Sequence, residues 1–345
     1  MIFVFSFLII CIFSQQNSPV EKKTVGYIYA FFFISFVLAI IPGLRYEWGA
    51  DYFNYKNLYE YEHIVPSIEI IYFYVSFFSH KIGIHYNLFL FIMAIFSVGI
   101  KLKFYYKWTQ YPFYALIPYL ALIYSVYELG FVRQALALAL VCLSYDAYFR
   151  KKKLSAFIFA FISCLCQFST SIIFLIYLID GIIPKNVKSK IVPILLISIS
   201  VFWFSNSLPD IVLKYTSNLE KNYVIDKIRY YLINYPGTGL SFNVLRAFGM
   251  LYIFNKRCKN IQLLRLYNIG ALIYFLSTCN AQFATRFNSV YFILEPLLVD
   301  DILKHTSSKS QFWVKSMFTI LYFVLFVYCI FLFDYTNYKS ILSLF

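Results

Sequence analysis

The chain has 345 residues, 61% hydrophobic and only 13% charged, with a mean hydropathy of +0.70. Soluble domains average about 45–50% apolar and about 25% charged residues, so this composition excludes a soluble enzyme along with disordered and collagen-like chains. The net charge of +14 would point to nucleic acid in a soluble protein. Here the basic residues lie in short stretches between apolar runs, the pattern of a multispanning helical membrane protein with its lysines on the cytoplasmic side, and no nucleic-acid partner is expected.

Residues 1–13 are apolar, lack a basic flank and a small-residue cleavage site, and read as a short first span rather than a removed signal. Runs near membrane-spanning length follow at 25–43, 86–101, 111–127, 129–149, 191–208, 240–255, 261–279, 283–303 and 312–333. The run 154–183 would measure ~45 Å as one helix, too long for a straight span. It reads instead as two short helices turning near Gln167-Phe168-Ser169-Thr170. Residues 68–84 read as interfacial or re-entrant.

Lysine-rich stretches at 22–23, 101–107, 150–153, 185–190, 256–259 and 304–315 belong on the cytoplasmic side. The resulting fold class is all-α, a polytopic integral membrane protein of about twelve transmembrane or half-membrane helices. It forms a single transmembrane domain over 1–345, with long extracytoplasmic loops at 44–67 and 209–239. The seven cysteines lie in or at the ends of apolar runs and read as small apolar filler. The four histidines form no ligand set, and no paired-aspartate motif lies in a cytoplasmic loop. No metal and no cofactor is expected.

The arginines behave differently from the lysines. Arg45, Arg133, Arg246 and Arg286 fall near the outer ends of predicted helices, and Arg229 falls in the second outer loop. The positive-inside rule disfavours this placement. Each could snorkel or pair with a carboxylate such as Glu47, Asp51 or Glu128. Taken together they suit a shared site for a pyrophosphate at headgroup level, because guanidinium grips phosphate oxygens bidentately. The alanines at 135, 137 and 139 after Arg133-Gln134 permit a closely packed helix that fixes the arginine's direction. The stretch Gly43–Tyr55 combines Arg45, Glu47, Asp51, Trp48, Tyr52 and Tyr55. Aromatic faces beside carboxylates suit a sugar site, and they equally suit an interfacial aromatic belt.

Four elements in order resemble the EpsG-like exopolysaccharide polymerases, a Wzy-type family. Arg45 through Gly49-Ala50-Asp51-Tyr52-Phe53-Asn54-Tyr55 resembles the family's R…GxDYxxY element, and Arg133-Gln134-Ala135-Leu136-Ala137 resembles its RQxLA helix. Arg286-Phe287 through Tyr291-Phe292 resembles its late R…YF element. At Gln167-Phe168-Ser169 the family pattern is usually His-x-Ser, so Gln167 stands where relatives carry histidine.

The resemblance implies a GT-C-like helix arrangement and a metal-independent membrane glycosyltransferase in a bacterial inner membrane, its active site facing the periplasm or exterior. Its substrates would be two undecaprenyl-pyrophosphate-linked glycans, donor and acceptor, with a chain-length regulator and a flippase as further partners. In that reading Arg45, Arg133, Arg246 and Arg286 hold pyrophosphate, with Arg229 in addition. Asp51, or Glu128 after it, acts as general base or orients the acceptor. Tyr52, Tyr55, Gln134 and Gln167 contact sugar. A lipid-linked oligosaccharide flippase and an O-antigen ligase remain open alternatives, since both handle the same diphosphate.

Overall fold

The structure is a computed structural model that describes residues 7–12, 14, 24–49, 51–60, 70–183, 191–216, 229–230, 232–333 and 340. The regular elements among them are helical, and one isolated antiparallel bridge pairs Arg45 with Ser340. The chain forms two compact units, one from residues 1–171 and 295–345, the other from residues 172–294.

The first unit holds α1 (Val25–Gly43), α2 (Tyr52–Glu60), α3 (Ile70–Lys81), α4 (Tyr86–Trp108) and α5 (Pro112–Tyr119). A π-helical segment, Leu120–Glu128, continues α5 and leads to α6 (Val132–Phe149) and α7 (Lys153–Cys166). After the chain returns at 295, α13 (Glu295–Lys304) and α14 (Ser308–Leu332) complete the unit. In it α4 packs against both α1 and α6, α6 packs on α7, and α14 covers the π-helical segment. The second unit holds α8 (Ile172–Ile182), α9 (Ile191–Thr216), α10 (Phe242–Arg257), α11 (Ile261–Ser277) and α12 (Ala281–Phe292). Its centre is α11, which touches the other four helices.

Helices over 25–43, 86–108, 194–215 and 308–332 are long and apolar enough to cross a membrane, and shorter apolar helices lie at 153–166, 168–182 and 261–277. Phe32, Phe33 and Phe36 on α1, and Trp313, Ile320 and Phe331 on α14, are all exposed. An apolar exterior of this kind fits lipid, not water. The chain is thus an all-α, multi-pass membrane protein.

Several boundaries move relative to the sequence. The expected interruption near 167–170 is present, as a 3₁₀ turn over Phe168–Ser171 between α7 and α8. The run 283–303 is not one span: α12 stops at Phe292 and α13 starts at Glu295. Pro296 accounts for the break, since it has no N–H to bond the Phe292 carbonyl four residues back and its ring crowds that carbonyl, while it fits the first turn of a new helix. Helix α9 runs on through Pro209 to Thr216, so Asp210 and Lys214 are helical rather than part of an outer loop. Helix α3 has 12 residues, about 18 Å of rise, well short of a membrane core of about 30 Å. Residues 61–67 and 217–228 of the two outer loops, 68–69 at the start of the interfacial stretch, and the lysine stretches at 22–23 and 185–190 lie outside the described residues.

Two lysines are misplaced by the positive-inside pattern. Lys101 is not a loop residue, because α4 continues to Trp108 and leaves it about two turns inside the helix, fully buried. Lys315 is likewise buried, with its ammonium 5.1 Å from the Tyr111 ring centre and donating to the Ser14 carbonyl at 3.3 Å.

Candidate functional site

The first unit gathers most of the residues singled out by the sequence. Arg45 follows the C-terminus of α1 and is 1% exposed. Its Nη1 donates to the Leu129 carbonyl at 2.5 Å and lies 3.4 Å from the Glu128 carbonyl. These carbonyls close the helix that ends just before Phe131. Terminal carbonyls lack intrahelical donors and carry the negative end of the helix dipole, so a cation is favoured there. Arg45 Nε is buried and meets no acceptor among the described residues.

Gly49 makes this approach feasible. Its φ is +109°, and a Cβ there would stand 3.1 Å from the Leu129 carbonyl oxygen and 3.6 Å from Arg45 Nη1. The chain then enters α2, where Tyr52, Tyr55 and Tyr59 recur at helical spacing and are buried on one face. They pack with Tyr72 of α3, Tyr86, Phe89, Leu90 and Met93 of α4, and Val132 of α6. Tyr52 donates its hydroxyl to Asn87 Oδ1 at 3.0 Å, and Tyr59 donates to the Ile84 carbonyl at 2.7 Å. Burial pushes the Tyr59 phenol up to about 12 and raises that of Tyr52, so both remain protonated donors at neutral pH. Tyr52 and Tyr55 present no open face to a sugar in this conformation, being 1% and 3% exposed.

Arg133 borders the same cluster. Its guanidinium lies 4.9 Å from the Tyr55 ring centre and 5.9 Å from that of Tyr72, and its Nε donates to the Tyr55 hydroxyl at 3.1 Å. It stands in the first turn of α6, whose N-cap Phe131 provides no side-chain cap. A positive charge at a helix N-terminus opposes the dipole, whereas an anion there is favoured. Gln134 is buried and accepts from Ser169 Oγ at 3.3 Å, which ties α6 to the 167–170 turn. Ser163 of α7 lies 2.7 Å from Thr170 Oγ1 and 2.9 Å from the Ala137 carbonyl, pinning the same turn. Gln167 ends α7 and is buried. Asp51 is half-buried at the start of α2. Among the described residues its carboxylate has no hydrogen-bond or ion-pair partner.

Glu128 is placed otherwise. Its carboxylate pairs with Lys101 at 2.5 Å, with the two side chains 1% and 0% exposed, and accepts from Ser97 Oγ at 2.9 Å. A cavity with room for about one water molecule is lined by Arg45, Ser97, Glu128, Val132 and Ala135 among others. Lys101 and Ser97 were not anticipated as part of this site. The signal for Lys101 was a charge inside an apolar run, and ending the run at that residue hid it.

The second unit carries Arg229, Arg246 and Arg286. Arg246 of α10 is buried, with its guanidinium 4.5 Å from the Phe292 ring centre. Arg286 lies on α12 and is half-buried, as is Arg229. The stretch before α10 is fastened to the start of α12, where Asn280 Nδ2 donates to the Tyr235 carbonyl at 2.9 Å and Thr238 N donates to the Thr278 carbonyl at 2.9 Å. Elsewhere in this unit Arg265 and Asp180 form an ion pair, and Asn255 and Asn268 exchange amide hydrogen bonds of 2.9 Å.

The EpsG family model matches residues 28–342, nearly the whole chain. The chain belongs to the EpsG family. Membership makes it a membrane protein of polysaccharide-polymerase type. No curated protein and no solved structure matches it. The match takes in the EpsG-like elements at Arg45–Tyr55, Arg133–Ala137 and Arg286–Phe292.

Proposed function

We propose that this EpsG-family protein polymerises glycan repeat units carried on undecaprenyl pyrophosphate, at the extracytoplasmic face of a bacterial inner membrane. The observation that supports the reading most is Arg133 in the uncapped first turn of α6, stacked on Tyr55 and Tyr72. Arg45 borders the same unit's cavity with Val132. A phosphate would be welcomed there by guanidinium and helix dipole together.

In the proposed reaction the acceptor's non-reducing-end hydroxyl attacks the donor's anomeric carbon. The bond to undecaprenyl pyrophosphate breaks, and that lipid leaves as the anion. Arg133 and Arg45 stabilise the charge developing on the leaving diphosphate, the kind of electrostatic contribution that dominates many enzymes. Phosphate contacts are assigned by the same guanidinium chemistry to Arg246, Arg286 and Arg229 of the second unit. Asp51, whose carboxylate has no partner among the described residues, takes the hydroxyl proton or orients the acceptor. Gln134 and Gln167 are assigned to sugar hydroxyls. Tyr55 is assigned to aiming Arg133, since its hydroxyl and ring are both engaged with that side chain.

The test is a gel profile of surface glycan and lipid-linked intermediates from cells carrying Arg133→Ala or Arg286→Ala at wild-type membrane levels. Single repeat units on lipid at the outer face are expected. Long chains from both variants would overturn the diphosphate role. Single units trapped inside the cell would favour a flippase, and normal polymer unattached to lipid A would favour a ligase.

A further inference from the structure

We infer that Lys101, acting with Ser97 through Glu128, is a positioning residue that fixes Arg45 and the start of α6 for the leaving diphosphate; the inference rests on the polymerase reading above. Lys101 has three N–H groups and three close acceptors on three elements. They are Ser97 Oγ of α4 at 2.6 Å, Glu128 Oε1 of the π-helical segment at 2.5 Å and the Ala135 carbonyl of α6 at 2.6 Å. Ser97 Oγ in turn donates to Glu128 Oε2 at 2.9 Å. Tyr119 OH stands 3.4 Å from Oε1.

What this ammonium holds is what the site needs. Glu128 contributes the carboxylate that Lys101 grips and also a main-chain carbonyl facing Arg45 Nη1. Ala135 lies two residues beyond Arg133, and Ala135 and Arg45 line the same cavity as Ser97 and Glu128. One buried charge therefore ties together the carbonyl end that receives Arg45 and the helix start that carries Arg133. Stability alone is a weak reason for such a pair, because replacing both partners of a buried ion pair by apolar residues is often neutral or stabilising. A π-helical stretch is rare and is found frequently at functional sites. The clamp sits at the end of this one.

The experiment uses the full chain in lipid nanodiscs. Its substrate is the single-unit lipid-linked glycan extracted from a strain lacking the gene. Lys101→Met alone leaves the Glu128 charge buried and unpaired, so low membrane levels are expected. The paired variant Lys101→Met with Glu128→Met removes both charges and is expected at wild-type levels, with kcat about 10²-fold lower, the loss a small misplacement at a reacting centre produces. KM is expected to move less than about threefold, since ground-state binding is not the target. Ser97→Ala keeps both charges and lowers kcat about tenfold, and Ser97→Thr, which restores the hydroxyl, recovers it.

Wild-type kcat in the paired variant overturns the inference, as does a rise in KM with kcat unchanged. If the paired variant does not fold, an unchanged kcat in Ser97→Ala overturns it. A wild-type protein that makes no polymer from this substrate overturns the polymerase reading itself, and that result comes from a separate arm.

Discussion

The backbone of Gly49 passes Leu129 so closely that a Cβ on Gly49 would lie 3.1 Å from the Leu129 carbonyl oxygen, the atom that receives Arg45 Nη1. Gly49→Ala meets two obstacles. The φ of +109° disfavours any side chain, at about 1–3 kcal/mol, and the new methyl pushes on the carbonyl that holds Arg45. Shortened or absent polymer is expected, together with a lower melting temperature of the detergent-solubilised protein. Normal chain length and normal melting would show that the loop accommodates a side chain and that Arg45 does not depend on it.

Arg133 and Tyr55 separate charge from aim. Tyr55→Phe keeps the ring 4.9 Å from the guanidinium but removes the acceptor of the 3.1 Å bond from Arg133 Nε. A hydrogen bond to a charged group contributes about 1.5–3 kcal/mol, so at least about a tenfold loss of polymerisation rate is expected. Arg133→Lys keeps the charge but loses the planar fork and its stacking, and should be worse than Tyr55→Phe. Both variants are assayed with lipid-linked single units in nanodiscs. A lysine variant as active as wild type would mean that charge alone suffices.

Asp51 is half-buried beside this cluster, and its carboxylate has no hydrogen-bond or ion-pair partner among the described residues. Asp51→Asn preserves size and polarity and removes proton-accepting capacity. A fall of about 10²–10⁴-fold in turnover is expected if it serves as general base, with retention of lipid-linked substrate in a pull-down of the nanodisc protein. Asp51→Asn with unchanged turnover would transfer that role elsewhere.

The sequence discloses the fold class and the family elements because both depend on local features. Apolar runs of membrane length mark the helices, and the Arg45–Tyr55 and Arg133–Ala137 stretches carry short-range patterns. Side-chain partnerships across the first unit do not show in that way. Lys101 and Glu128 are 27 positions apart in sequence, and only packing of α4 against the π-helical end makes them a pair. In sequence Tyr52 and Tyr55 suit a sugar site and an aromatic belt equally, because aromatic composition does not disclose which face is covered; α3 and α4 cover it. The break at 293–294 was present in the sequence as Glu295-Pro296, but continuous hydrophobicity outweighed it. Gln167 shows the opposite case. By resemblance it stands where a histidine is usual, a feature legible from the short Gln167-Phe168-Ser169 stretch, and the fold adds that the turn is pinned to α6 through Ser169 and Gln134.

In the second unit Arg265 of α11 and Asp180 of α8 pair with side chains 12% and 4% exposed. Removing one partner, as in Arg265→Leu, takes the guanidinium away from a nearly buried carboxylate, and breaking a buried pair typically costs about 3–5 kcal/mol. Because α11 touches each of the other helices of its unit, membrane levels should fall sharply, with any surviving protein retaining wild-type turnover. Replacing both partners, Arg265→Leu with Asp180→Leu, removes the buried carboxylate along with its guanidinium and should restore much of the level. The readout is the amount of tagged protein in the membrane fraction set against polymer made per molecule. Turnover per molecule that drops in the double variant while its level recovers would show that this pair serves the reaction and not only the fold.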